Sequence, residues 1–417
     1  MTTVDFRTRP DSDVRTIDLA PFVDEQLAGV LDSRGGEAGR AAARLGLVPL
    51  SFDVEGEQYT FDPDDGAFEV RHGVDQALVV ALDRVAFSEL VNDVVSTFGL
   101  TMSGRANIRV GSVDAFVAWE PVLRYLFDGR TVYEPGTIGF SDRDGSPLEL
   151  QRSFTLDSDP EEIGHFLAQA GFLHIQEVFS EAEMVAVSHD LDEAIEAADR
   201  DDGASWWAQT EAGEWYPARI LGFNQKSPAL RTLLHSERFA TIGTFTDDEY
   251  LQRDPDVGDS AEGLLKKVHV TEGVSDVSWH KDCAMGGHSR GCCGLTVGIS
   301  VTGAGRRNGE LGVVPGSHRA NIASLGVEGL DLPRLPLPTR TGDVTVHCSC
   351  TLHMSRPPVS AERRVVYTGF SLAPRPGDQV VERTPEEIRS DRARLGDQVT
   401  SQQQRLKLSS RTASFEL

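Results

Sequence analysis

The chain has no run of about 18 apolar residues, so its sequence offers no membrane-spanning helix. Its start, Met1-Thr2-Thr3-Val4-Asp5, lacks the basic and then apolar regions of a signal peptide, which makes the cytoplasm the expected location. Basic residues are scarce: 40 Lys and Arg stand against 65 Asp and Glu, for a formal net charge of −25. Such a field repels a phosphate backbone, which argues against nucleic acid as a partner. Cysteine is scarce too, with five in 417 residues: Cys283, Cys292, Cys293, Cys348 and Cys350. An odd number in a cytosolic chain argues against a disulfide framework. Cys348 and Cys350 lack the Cys-x-x-Cys spacing of a zinc knuckle and read as small buried apolar residues. There is no internal repeat and no low-complexity tract.

What is present is ordinary for a globular protein, with 39% hydrophobic and 25% charged residues. The length predicts two or three domains. Residues 1–20 are polar and expected to be loosely held. A helical pattern runs from Phe22 to Leu47, interrupted at Gly35-Gly36. Strand-like runs follow at Leu50 to Val54, Tyr59 to Phe61, Phe68 to Arg71 and Ala77 to Leu82. Val85 to Val95 reads as a helix, Met102 to Val110 as a strand, and Ser112 to Phe127 as an apolar helix. This order, with the Gly-rich run Ser103 to Gly111 before an apolar closing helix, resembles a sterol-carrier-protein domain over about residues 40–130. The resemblance implies an α+β fold around an apolar tunnel.

Residues 136–152 are rich in turn formers and read as a linker. A second unit, residues 153–375, opens with a helix from Pro160 to Ala170 and a strand at Gly171 to Ile175. Ser180-Glu181-Ala182-Glu183 then forms a capping box. From about residue 264 the pattern alternates, as in Leu295 to Val301, Leu311 to Val314, Val344 to His347 and Val365 to Phe370. Many short strands with Gly-rich turns predict a closed double sheet or jelly roll. The fold class is therefore α+β: a double-stranded β-helix with flanking helices, behind a smaller N-terminal α+β domain spanning residues 1–135. Residues 376–417 form a polar tail, with a candidate surface helix from Pro385 to Leu395.

Chemistry concentrates in Trp279-His280-Lys281-Asp282 and Leu352-His353-Met354-Ser355. Two imidazoles and one carboxylate make a facial triad that holds Fe(II) and leaves three positions open. Eleven residues after His353 comes Arg364, a fixed cation suited to a dicarboxylic cosubstrate. His-x-Asp alone is a weak signal. Its surroundings strengthen it: Asn308 to His318 with its Pro-Gly-Ser-His turn, Gly342-Asp343 opening a strand, and Arg363-Arg364-Val365.

On these motifs, residues 153–375 resemble the phytanoyl-CoA dioxygenase family. The resemblance implies an Fe(II)- and 2-oxoglutarate-dependent dioxygenase, with O2 as the other cosubstrate. His280, Asp282 and His353 match its iron ligands. Arg364 matches the residue that grips the distal carboxylate of 2-oxoglutarate, and Ser355 a hydroxyl that shares it. Strand alternation lets only one of Arg363 and Arg364 face inward, and spacing favours Arg364. Related halogenases replace the carboxylate ligand with Gly or Ala; Asp282 therefore implies hydroxylation or another oxidation.

Other residues remain candidates. His269 can contact the 2-oxo acid or simply pack, and Lys266 and Lys267 can meet an anionic group. His318 is expected to shape its turn, and His347 to support the triad. Trp206, Trp207, Trp215 and Tyr216 form either an apolar lid or a structural cluster, and Asn224 and Gln225 can orient a substrate. The expected substrate is a small apolar molecule such as a lipid, terpenoid or secondary metabolite, oxidised with release of succinate and CO2. The alternatives are a non-catalytic carrier of hydrophobic ligands and a cupin-type metal enzyme that does not use 2-oxoglutarate.

Overall fold

The computed structural model describes residues 2–64, 67–273, 277–285, 288 and 292–379. The tail helix expected at 385–395 lies outside them. Among the described residues the strands, numbered in chain order, form sheets of five, nine and four. The first sheet comprises β1 (Leu50–Val54), β2 (Glu57–Asp64), β3 (Ala67–His72), β4 (Leu78–Leu82) and β5 (Asn107–Val110), in the order β3-β2-β1-β4-β5. β1 and β4 are parallel and the other pairs antiparallel. Phe52 meets Phe61 at 5.4 Å, Phe87 at 5.6 Å and Phe116 at 6.2 Å, ring centroid to centroid. These rings pack with Trp119 in the buried core of this unit.

Local structure departs from expectation at four places in this unit. The helix Ala28–Arg44 runs straight through Gly35-Gly36. Each glycine costs a helix about 1 kcal/mol, which packing overrides here: Gly35 is buried against β3. Met102 to Val110 is a strand only at β5, because Ser96 caps a short helix, Thr97–Met102, by accepting from Gly99 N–H. The apolar stretch after Ser112 is two helices, Val113–Ala118 and Glu120–Asp128. Residues near the start are pinned rather than loose. Val4 is fully buried in the core of the second unit, and its N–H donates to Asp248 at 2.8 Å.

The second unit is a sandwich of two sheets. The major sheet contains β6 (Phe172–Ile175), β7 (Ser205–Thr210), β8 (Trp215–Ile220), β9 (Tyr250–Gln252), β10 (Glu262–Lys266), β11 (Val270–Gly273), β13 (Leu295–Ser300), β16 (Val344–Cys348) and β18 (Arg363–Leu372). The minor sheet is β12 (Val277–His280), β17 (His353–Ser355), β14 (Leu311–Val313) and β15 (Leu335–Leu337). Both are antiparallel throughout, as in a jelly roll. Trp206, Trp207, Trp215 and Tyr216 lie on strands β7 and β8, which extend the major sheet.

Alternation decides what each face does. Val297, Ile299, Val344, Val346, Val366 and Phe370 join the buried core with the helices Pro160–Ala170, Glu181–Glu196 and Pro228–Leu234. The opposite face carries Thr296, His347, Tyr367, Arg363 and Lys266, in the registers Thr296↔His347 and Lys266↔Arg363. The start of the expected linker and the residues just before it are strapped across the outer side of the minor sheet, where Tyr133, Ile138 and Phe140 pack with Trp279, Val314 and Met354. Gly316, at φ 76°, belongs to the Pro-Gly-Ser-His turn under this strap. A Cβ there would stand 2.9 Å from both Ile138 and Phe140.

Candidate metal centre and cosubstrate seat

His280 ends β12 and His353 begins β17, and the two stand directly opposite one another in the antiparallel ladder. Asp282 opens the 3-10 turn Asp282–Met285 that leaves β12. His280 Nδ1 lies 2.7 Å from the Ser278 carbonyl, and His353 Nδ1 lies 3.0 Å from the Thr351 carbonyl. Each Nδ1–H therefore donates to backbone, and each Nε2 is left as the lone-pair atom. Both Nε2 atoms face Asp282 Oδ1, at 3.3 Å from His280 and 3.5 Å from His353. Metal–ligand bonds of about 2.1 Å at right angles would set neighbouring donors roughly 3 Å apart. The donor set thus fits an octahedral ion held on one face, as in the two-histidine, one-carboxylate iron centres.

The other Asp282 oxygen is held in place. Oδ2 accepts from Thr296 Oγ1 at 2.9 Å and faces His347 Nε2 at 3.4 Å. Burial alone would raise the pKa of Asp282, but His353, His280 and His347 hold it well below the ordinary carboxylate value. Burial, then the neighbouring His347, push His353 well below the usual imidazole value. An ionised carboxylate and a neutral imidazole are the forms a metal needs.

A second polar cluster lies along β17. Ser355 is two residues past His353, about 7 Å along the strand. Lys266 Nζ donates to Ser355 Oγ at 2.6 Å and to the Arg356 carbonyl at 2.7 Å. Arg363 Nη2 stands 3.3 Å from Ser355 Oγ and 3.4 Å from Tyr367 OH, while Nη1 donates to the Gly309 carbonyl. Arg363 is 3% exposed, and its Nε has no hydrogen-bond partner. Among the described residues no carboxylate pairs with it. A buried guanidinium facing neutral oxygens is costly unless an anion joins it.

Arg364 is not part of this cluster. It shares the face of Val366, and its guanidinium donates to Ser188 Oγ at 2.8 Å and pairs with Asp192 Oδ1 at 2.7 Å. The structure thus places Arg363, not Arg364, on the face of Ser355; the parity of Val366 and Phe370 with the buried core was the available signal. Ser355 lies in this cluster beside Arg363, and of the lysine pair Lys266 is inside. Lys267 is bound to Glu214 at 2.8 Å. His269 is exposed beside Glu211 and does not approach the centre. Asn224 is consumed by backbone groups of Pro255, Gly258, Ser260 and Ala261. His318 is bound to the Ala168 carbonyl at 3.0 Å, and burial pushes its pKa down to about 3. Thr296 escaped notice, although strand alternation places it on the same face as His347.

This fold and donor set define a non-haem iron, 2-oxoglutarate-dependent oxygenase. Residues 167–366 form a domain of the phytanoyl-CoA dioxygenase (PhyH) family, whose cofactor is Fe(II) and whose cosubstrates are 2-oxoglutarate and O2. No curated protein sequence matches the chain. Solved structures similar to it include the α-ketoglutarate-dependent carbocyclase SnoK from nogalamycin biosynthesis. That match has 22% identity, covers 56% of this chain and 97% of SnoK, and has a TM-score of 0.42. EctD from S. alaskensis with bound Fe is 18% identical, with 49% and 74% covered and a TM-score of 0.40. HygX from Streptomyces hygroscopicus, solved with nickel, 2-oxoglutarate and hygromycin B, is 16% identical, with 50% and 86% covered and a TM-score of 0.38. No helix among the described residues is long and apolar enough to cross a membrane.

Proposed function

We propose that the protein oxidises an unactivated C–H bond of a small apolar molecule, by default to an alcohol, while 2-oxoglutarate is converted to succinate and CO2. His280, Asp282 and His353 hold the iron, which supplies the oxidising power when bound. Arg363, Lys266 and Ser355 receive the distal carboxylate of 2-oxoglutarate. Arg363 takes the role that spacing gave to Arg364, because its guanidinium is the buried one without a carboxylate partner. Thr296 and His347 fix the carboxylate ligand. Asp282 fills the position that halogenases leave to a halide, which favours hydroxylation.

An apolar wall at the mouth of the sandwich supports the substrate class. The turn carrying Asp282 continues into Ala284 and Met285. These pack with Trp206, Val277 and Leu325, and with Phe98, Met102 and Val117 of the first unit. Ser96 Oγ donates to the Ala284 carbonyl at 2.8 Å, tying the two units together beside the iron ligand. The first unit therefore covers the mouth and contributes substrate contacts. Its ring-filled core fits that role better than a carrier's tunnel.

The observation that carries the reading is the His280–His353 rung with Asp282 beneath it and the Arg363 cluster two residues along β17. Anaerobic addition of Fe(II) and 2-oxoglutarate should give a weak visible charge-transfer band that Asp282→Ala and Arg363→Met each diminish. No band in folded, iron-loaded protein would overturn it. A panel of apolar molecules, scored by succinate release, then tests the substrate class. Met102→Glu should raise the substrate KM without altering the band; an unchanged KM would remove the first unit from the pocket.

A further inference from the structure

The five cysteines, scattered over 68 positions of sequence from Cys283 to Cys350, are all buried in one region. Buried thiols acting as small apolar residues have no reason to face one another. Four of these do. Cys292 Sγ lies 3.4 Å from Cys293 Sγ, and Cys293 Sγ lies 3.8 Å from Cys350 Sγ. The ligand atoms of Cys292, Cys293 and Cys350 are all within 4.8 Å of one another, as are those of Cys283, His288 and Cys292. The two triplets share Cys292. Four thiolates around a tetrahedral ion with metal–sulfur bonds of about 2.3 Å stand roughly 3.8 Å apart. The observed separations are therefore those of a metal–thiolate site, and too long for a disulfide, whose sulfurs are about 2.05 Å apart.

The surroundings fit the same assignment. His288 Nδ1 lies 3.3 Å from Asp93 Oδ1, so a carboxylate stands beside the imidazole. A carboxylate behind the ring is the usual support of a metal-bound imidazole. The Phe6 N–H donates to Cys293 Sγ at 3.1 Å, the kind of contact that stabilises a thiolate. Lys281 is buried, and among the described residues its Nζ donates to the Ser317 and Ala320 carbonyls, at 3.1 and 3.3 Å. A divalent ion bound by three or four thiolates is an anionic group, and it would provide this ammonium with a counter-charge.

We propose that Cys292, Cys293 and Cys350, with Cys283 and His288 adjoining through Cys292, form a second metal site for a thiophilic ion of the zinc type. It is distinct from the histidine–carboxylate triad in donor chemistry, since soft thiolates select zinc or copper(I) over Fe(II) bound by nitrogen and oxygen. Its place in the fold gives it a structural task. Cys283 directly follows the iron ligand Asp282, Cys292 and Cys293 lead into β13, and Cys350 precedes His353 by three residues. An ion there joins the two segments that carry the iron ligands. Binding releases the thiol protons and changes no oxidation state.

The experiment uses the full chain with the triad silenced by His280→Ala and His353→Ala. Elemental analysis should still find about one zinc per chain. Cobalt exchanged into that protein should give an intense near-ultraviolet thiolate-to-cobalt band, which nitrogen and oxygen ligands do not produce. Cys292→Ser, which removes the shared ligand, should abolish both. Should that variant not fold, the wild-type chain answers instead: titration with a mercurial should release one zinc to a colorimetric indicator as four thiols react. The proposal is overturned if the triad variant holds no metal and gives no such band. It is equally overturned if mercurial titration of the wild type releases no zinc.

Discussion

Arg363 Nη2 stands 3.3 Å from the Ser355 hydroxyl, whereas the guanidinium of the next residue, Arg364, points through the sheet to Asp192 at 2.7 Å. The two arginines therefore give opposite predictions. Arg363→Met should raise the KM for 2-oxoglutarate 10- to 100-fold, the loss of a charged hydrogen bond of about 1.5–3 kcal/mol. Arg364→Met should leave that KM unchanged and cost less than about 1 kcal/mol, because Asp192 is largely exposed. Steady-state kinetics with varied 2-oxoglutarate, beside urea unfolding, separate the two. The reverse pattern would return the cosubstrate to Arg364.

Thr296 holds Asp282 Oδ2 at 2.9 Å. Thr296→Val keeps the shape of the side chain and removes the hydroxyl. Iron affinity should fall about 10- to 100-fold, as is usual when a partner behind a metal ligand is lost. Anaerobic Fe(II) titration provides the measurement. An affinity equal to that of the wild type would mean that the carboxylate is oriented by His347 alone.

The capping box at Ser180 supplies a pH-dependent element of stability. Glu183 pairs with Arg238 at 2.6 Å and accepts from Ser180 N–H at 2.7 Å. The hydrogen bond from Arg238 is the main cause, partly opposed by burial, of a pKa lowered from 4.5 to about 2. A carboxylate depressed in the folded state stabilises above its unfolded pKa and loses that stabilisation as pH falls through the folded one. The difference in urea midpoint between wild type and Glu183→Gln should be constant above pH 4.5 and shrink towards pH 2. A difference that grew on acidification would contradict the pairing.

In the first unit Arg124 is 1% exposed and lies 3.0 Å from Asp93, 3.0 Å from Asp128 and 3.2 Å from Glu120. Removing this cation strands buried carboxylates. Arg124→Met should cost about 3–5 kcal/mol, measured by urea unfolding. Arg9, which also pairs with Asp128 but is more exposed, should cost less than about 1 kcal/mol as Arg9→Met. Equal losses would show that burial is not what makes the Arg124 network matter.

The candidate metal triad was legible in the sequence because His280 and Asp282 are two residues apart and His353 stands in its own short motif, residue types suited to a metal. The capping box at Ser180 and the strand rhythm of β13, β16 and β18 were legible for the same reason, since a period of two or a four-residue motif needs no distant partner. Tertiary structure alone showed which of Arg363 and Arg364 shares the face of Ser355. Adjacent strand residues point to opposite faces, and only the packing of Val366 and Phe370 against the helices says which face is inside. The same holds for the cysteines, whose sequence spacing gives no hint that a turn before β17 and the start of β13 meet. It holds also for Met102 and Val117, which reach the mouth of the sandwich only because Ser96 and the Ala284 carbonyl bring the two units together.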